Sequence, residues 1–221
     1  MPRAVRFRTG GVMTLAMALL VWISGCSGAG GNPVTAALRQ PTAPSLAPYV
    51  ATPEGVVDEM LRMAEVGKDD LIYDLGSGDG RIVIDAARRY GARGVGVELD
   101  PELVQRARDN ARQANVSHLV EFRQQDVMTV DLSPASVVTL YLSRAANLKL
   151  RPRLLDQLRP GTRVVSHEFD MGDWRPDAVL RVRDEDAGFR TLFLWRMGHS
   201  TPLQSPAGDS PWRQARQITS R

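Results

Sequence analysis

The sequence predicts an α/β fold: a doubly wound, mostly parallel sheet of seven strands in a single domain. Two observations carry this. The short apolar run Leu71–Leu75 breaks into Gly76-Ser77-Gly78-Asp79-Gly80, and Ile82, Ala86, Ala87 and Tyr90 then recur at helical spacing. The same alternation of strand and helix repeats further along, and successive strands joined by helices form a parallel sheet through right-handed crossovers. The 221 residues, 24% of them charged, suit one medium-sized domain with a real core and leave no room for a second.

Residues 1–26 have the layout of an export signal. Arg3, Arg6 and Arg8 precede an apolar run from Val12 to Ile23, and the small residues Ser24 and Gly25 precede Cys26. Ile-Ser-Gly-Cys resembles the bacterial lipoprotein processing box, which implies that Cys26 is lipidated and that a lipid alone anchors the protein to the cell envelope. The apolar run is short for a membrane span. The alternative is a wrongly assigned start codon and a cytoplasmic domain. Cys26 is the single cysteine, which excludes an intramolecular disulfide and a cysteine-rich zinc site, so no metal is expected. Residues 27–48 are rich in Gly, Ala, Pro, Ser and Thr and read as a flexible linker.

The folded domain is expected over residues 49–197. Thr52-Pro53-Glu54 predicts a helix start with Thr52 as N-cap and Pro53 in the first position, and Val56, Val57, Met60, Leu61 and Ala64 form its buried stripe. After the glycine turn and its helix, Gly94–Glu98 reads as the second strand, and Asp100-Pro101-Glu102 caps a helix reaching about Ala114. Further strands are expected over Leu119–Arg123, Val137–Leu142 and Arg163–Ser166. A helical segment, Arg144–Leu158, should break before Pro152. Val179–Arg183 and Thr191–Met197, joined by the turn Asp184–Gly188, form a closing pair. Residues 198–221 lack an apolar period and are expected to be a disordered tail.

Three acids fall at three successive strand ends: Asp74, Glu98 and Asp126. A dinucleotide site presents bare amides to a pyrophosphate, and the two carboxylates of the glycine turn, Asp74 on the strand end and Asp79 inside the turn, would cost Coulomb energy there. A ligand carrying an ammonium gains from them instead. The ionised carboxylate of Glu98 is suited to accept hydrogen bonds from ribose hydroxyls. The formal charge of +3 owes itself to Arg3, Arg6 and Arg8; without them 25 basic residues face 25 acidic ones, so nucleic acid is not an expected partner.

Asp74-Leu75-Gly76-Ser77-Gly78-Asp79-Gly80 resembles motif I of the class I S-adenosylmethionine-dependent methyltransferases, which have a Rossmann-like seven-stranded fold. The resemblance implies S-adenosyl-L-methionine as cofactor. It places Gly76, Ser77, Gly78 and Gly80 under the amino acid part, Glu98 at the ribose, and Asp126 with Val127 at the adenine. Pro48–Pro53, Arg81–Ile84, Tyr141-Leu142, Asn147–Pro152 and Val164–Trp174 further resemble bacterial and archaeal relatives of the mitochondrial protein-lysine methyltransferases that modify the ATP synthase c subunit and the adenine nucleotide translocase. That resemblance covers about residues 48–197. It implies Tyr49 and Thr52 as cofactor contacts and a protein-lysine N-methyltransferase; the sequence does not fix the oligomeric state, and a monomer is the default expectation. Where amino-methylating relatives acting on nucleic acids or glutamine carry Asn/Asp-Pro-Pro-Tyr, this chain has Leu140-Tyr141-Leu142-Ser143, which argues against those acceptors. Tyr141, His167 and Glu168 are the candidate catalytic residues: Tyr141 as a wall beside the sulfonium or a packed core tyrosine, His167 and Glu168, with Asp170 beside them, as groups that polarise or deprotonate the nucleophile or as rim hydrogen bonds. Trp174 either lines an acceptor channel or closes the sheet edge. A small-molecule methyltransferase and a non-catalytic envelope-anchored binding module remain the alternatives.

Overall fold

The computed structural model describes residues 49–184 and 188–198. The export signal, Cys26, the linker and nearly all of the tail lie outside these residues. Helix α1 (Glu54–Met63) precedes β1 (Leu71–Leu75), which feeds α2 (Arg81–Tyr90). Then follow β2 (Arg93–Glu98), α3 (Pro101–Gln113), β3 (Val120–Gln124), β4 (Val137–Leu140), α4 (Arg144–Gln157), β5 (Arg163–His167), β6 (Ala178–Asp184) and β7 (Gly188–Arg196). The seven strands form one sheet in the order β3-β2-β1-β4-β5-β7-β6. Strands β1 to β5 pair in parallel, and β7 runs antiparallel to both β5 and β6. The order reverses between β1 and β4, so a crevice is expected above the carboxyl ends of those two strands.

Alternation along the strands sorts the core into two layers. Ile72, Val137, Val165, Leu192 and Leu194 pack with α1, α2 and α3 on one face. Tyr73, Leu75, Val138, Leu140, Val164 and Trp195 pack with Leu150 and Leu154 of α4 on the other. Asp74, two residues beyond Ile72, therefore stands on the α1–α2–α3 face, as do Thr139 and His167.

Three expectations are corrected. The N-cap of α1 is Pro53, not Thr52, and no side chain caps it; the carbonyl of Pro53 accepts from the amides of Val56 and Val57. Thr52 is buried and its carbonyl accepts from Arg81 Nη1 at 2.7 Å, which draws the segment toward the glycine turn instead. Helix α4 runs unbroken through Pro152. Leu150 and Leu154 sit on either side of the proline in one core, and Arg151 and Arg153 donate to the carbonyls of Met171 and Val130, so tertiary contacts offset the lost helix bond. Strand β4 ends at Leu140 because Ser143 already caps α4, accepting from the Ala146 amide. The remaining strand limits agree to within a few residues.

Candidate cofactor and methyl-transfer site

The glycine turn is built by its neighbours. The amides of Gly76 and Ser77 donate to the carbonyl of Val97 on β2, and Gly80 N–H closes back on Ser77 O. Gly78 has φ of +53°, and a Cβ there would lie 2.4 Å from the Tyr49 ring. Glycine is required at that point for both reasons. Gly96 answers the same need from β2, where a Cβ would lie 2.7 Å from Ser77 Oγ and 2.5 Å from the Phe122 ring. The Tyr49 ring thus lies over the turn, and Arg81 joins Asp79 (2.7 Å) to the Thr52 carbonyl, latching residues 49–52 onto it. Asp79, expected from sequence as a second carboxylate for the ligand's ammonium, is instead paired with Arg81, which sequence did not mark as a site residue. Their opposite charges two residues apart were the available signal, but the contact to Thr52 spans 29 positions.

Asp74 is 2% exposed and accepts a hydrogen bond from Thr139 Oγ1 at 2.7 Å across the β1–β4 pairing. Burial pushes its carboxyl up to about 7; the Thr139 hydroxyl opposes this, and the carboxylates of Glu98 and Asp79 add to it. Burial would also raise Asp79, yet the hydrogen bonds and charge of Arg81, with a contribution from Tyr49, hold it below the usual carboxylate range. Asp74 therefore wants a cation that no side chain among the described residues supplies. Glu98 is engaged by backbone: Oε2 accepts from Gly78 N–H at 3.0 Å, and Oε1 from Leu99 and Asp100 N–H at 2.7 and 3.0 Å. A carboxylate offers about four acceptor positions, so one remains, on Oε2. A ribose hydroxyl would fit that free position. Asp126 Oδ1 accepts from Met128 N–H at 2.8 Å, and Gln125 N–H donates to Glu98 O, which sets the β3 end beside the β2 end. Val127 is buried in the α4-side core.

Ser77 Oγ is buried and makes no hydrogen bond with the described residues. An unpaired buried hydroxyl costs about 1–3 kcal/mol, and a polar ligand in the turn relieves that cost. An unpartnered hydroxyl, a carboxyl lacking its cation and a glycine turn fit an amino acid bearing a nucleoside.

Across the switch point the site changes character. The Tyr141 ring packs against His167 with centroids 3.9 Å apart and the planes tilted by 31°. Phe169 follows at 6.4 Å from Tyr141. His167 is fully buried and neither ring nitrogen has a partner among the described residues. Burial, with a smaller contribution from the Arg190 charge, pushes its pKa down to about 4, against the opposing effect of Asp184. The imidazole is thus neutral at pH 7. Glu168 has φ of +66°, and Phe169 N–H donates to His167 O at 2.9 Å, closing a three-residue γ-turn in its uncommon positive-φ form. Such strain costs about 1–3 kcal/mol and needs surroundings that hold it. Its carboxylate accepts from Thr191 N–H at 3.2 Å and faces Arg190 at 4.0 Å, so it serves the β5–β7 junction. Trp174 is 1% exposed, lies 5.6 Å from Trp195 in the α4-side core, and so closes the sheet instead of lining the rim beside Tyr141.

A switch-point crevice with a glycine turn, acids at the ends of β1, β2 and β3, and a β7 strand inserted antiparallel beside β5 defines a class I S-adenosylmethionine-dependent methyltransferase. Comparison with known proteins refines this. Residues 74–178 match the ANTKMT methyltransferase domain. A protein-lysine N-methyltransferase of Saccharolobus islandicus is 43% identical over 152 residues, covering 68% of this chain and 94% of that protein. The mouse adenine nucleotide translocase lysine N-methyltransferase is 37% identical over 60% of this chain, which spans 58% of its length. A crystal structure titled as an RNA methyltransferase from Salinibacter ruber with S-adenosyl-L-homocysteine is 53% identical. It covers 73% of this chain and 100% of its own, with a TM-score of 0.64. The chain belongs to the ANTKMT family of S-adenosylmethionine-dependent methyltransferases.

Proposed function

We propose that this protein methylates the side-chain nitrogen of lysine in a protein acceptor. The observation that carries this reading is the neutral, aromatic and partly unsatisfied rim made by Tyr141 and His167. At pH 7 a lysine must give up a proton at a cost of about 4–5 kcal/mol. A desolvating pocket without a carboxylate partner reduces that cost by disfavouring the ammonium. His167 is a poor proton acceptor for this purpose, because an imidazole titrating near 4 lies about six units below lysine, roughly 9 kcal/mol uphill. The proton leaves to solvent as the amine enters, and buried, neutral His167 backs the Tyr141 ring as part of that desolvating wall. S-adenosylmethionine, when bound, supplies an activated methyl on sulfonium; the C–S bond breaks as the N–C bond forms. Asp74 holds the cofactor's ammonium, Glu98 its ribose, and Asp126 with the Val127 amide its adenine. Tyr49 and Thr52 cover it from the latched segment.

Relatives named as lysine methyltransferases support the same acceptor. Residues 49–197 hold 21 basic and 24 acidic side chains, a balance that opposes an RNA acceptor. The test adds full-length protein and methyl-labelled S-adenosylmethionine to a lysate. Label on lysine nitrogen of a protein is expected; label in RNA or in small molecules overturns the reading. We also read residues 1–26 as a lipoprotein signal with Cys26 as the acylated residue, which mass spectrometry of the native N-terminus tests.

A further inference from the structure

We propose that Asn147 is a positioning residue of the acceptor pocket, acting through the turn at Glu168 to set Phe169 and His167 against Tyr141. The proposal rests on the reading of that rim as the acceptor side. Asn147 lies in the first turn of α4, is fully buried, and reaches across to the end of β5. Its Nδ2 donates to Ser166 Oγ and to the Phe169 carbonyl, both at 3.0 Å. Ser166 Oγ donates in turn to the same carbonyl at 2.7 Å. The two partners bracket His167 and Glu168, so one amide ties together both ends of the strained γ-turn.

The direction of these bonds is fixed. The Phe169 carbonyl only accepts, so the nitrogen of Asn147 must face it, and Oδ1 is left buried without a partner among the described residues. An amide with an unsatisfied oxygen is a poor choice for a position that merely packs, because a leucine would fill the same layer beside Leu150 and Leu154. Its donors are what the position uses. On the opposite side of the turn, Glu168 N–H donates to Thr191 O at 2.7 Å and its carboxylate accepts from Thr191 N–H. The turn is clamped from α4 and from β7, and the clamped segment carries the Phe169 ring, half-buried like Tyr141, at the mouth of the rim. The carboxylates that hold the cofactor lie on β1, β2 and past β3, beyond the reach of this clamp.

Releasing the clamp misplaces the acceptor's walls and spares the cofactor. Asn147→Ala is therefore expected to lower kcat/KM for a lysine peptide at least tenfold, with the Kd of S-adenosylhomocysteine within threefold of wild type. In protein carrying 4-fluorophenylalanine, the Phe169 resonance should broaden or split, a readout that requires no acceptor and so survives failure of the lysine reading. Glycine adopts positive φ without strain, so Asn147→Ala with Glu168→Gly should regain a single Phe169 resonance and much of the lost activity. If Asn147→Ala does not fold, Ser166→Ala, which removes one of the two donors to Phe169 O, should give the same pattern in weaker form. An unchanged Phe169 resonance in the folded variants overturns the proposal. So does a loss of homocysteine-ligand binding in step with melting temperature that Glu168→Gly leaves unrepaired.

Discussion

Cofactor affinity should rise steeply with pH between 5.5 and 7.5, and Asp74 should be the cause. The free protein holds this carboxyl up at about 7, chiefly by burying it. An ammonium placed beside it favours the ionised form, so below pH 7 binding must expel a proton. The penalty on the association constant is 1 + 10^(7−pH), about 33-fold at pH 5.5 and about 1.3-fold at pH 7.5. The difference is about 25-fold, or about 2 kcal/mol. Titration calorimetry with S-adenosylhomocysteine in two buffers of different ionisation enthalpy reads both quantities, and roughly 0.9 proton per ligand should leave at pH 6. Asp74→Asn copies the protonated carboxyl; it should bind more weakly than wild type throughout, with the gap widening by about 25-fold between pH 5.5 and pH 7.5. A wild-type Kd that is flat across this range, with no proton released, refutes the assignment of Asp74 to the ammonium.

The same two buried groups make opposite demands on stability without ligand. Asp74 has a raised pKa, so its contribution is present below about pH 4 and lost by about pH 7, a change of about 4 kcal/mol. His167 has a depressed pKa, so its contribution is present above about pH 6.5 and lost as pH falls to 4, about 3 kcal/mol. Relative to wild type, Asp74→Asn should lose stability on acidification from 6.5 to 4 and His167→Asn should gain it, as urea unfolding will show. Thr139→Val removes the hydrogen bond that lowers the Asp74 pKa, so the inflection in cofactor affinity should move upward in calorimetry. Gly78→Ala combines left-handed backbone strain of about 1–2 kcal/mol with displacement of the Tyr49 ring, and S-adenosylhomocysteine affinity at pH 7.5 should drop about tenfold. Tyr141→Phe keeps the ring contact with His167 and removes the hydroxyl; about a tenfold loss in kcat at unchanged cofactor affinity is expected, and normal turnover removes the hydroxyl from the mechanism.

The sheet was legible because its signals are local. Short apolar runs, helical spacing at Ile82, Ala86 and Ala87, and Asp100 before a proline each act within a few residues. The cofactor turn was legible for the same reason, since sequence alone places three glycines and two acids on one strand end. What escaped was set by distant partners. Thr52 is drawn from its capping role by Arg81, and Pro152 stays within a helix because its flanks are anchored to loops after β3 and β5. Asn147 reads as one polar residue in a helix until Ser166 and Phe169, 19 and 22 residues away, appear beside it. His167 could be named as a rim residue, yet its neutrality follows from burial that no sequence window contains.

The switch point also divides the site electrostatically, and the division follows from the charges the reaction handles. Asp74, Glu98 and Asp126 all end strands on the β1-to-β3 side, where a ligand with an ammonium and a sulfonium gains from anions. On the β4–β5 side the Tyr141 ring lies against neutral His167 and, at 6.4 Å, Phe169. A carboxylate placed there would hold lysine in its ammonium form and withhold the lone pair. A cation would compete for the carboxylates at close range. The charged groups nearby are paired, Glu168 facing Arg190 and Asp170 bonded to Arg144, and the sulfonium charge itself disfavours an ammonium arriving next to it. Substituting Phe169→Glu therefore tests the division directly. Cofactor binding should persist while methylation falls at pH 7 and recovers in part as pH rises toward the lysine pKa; a fall with no recovery at alkaline pH means that steric blockage, not the ammonium, limits the variant.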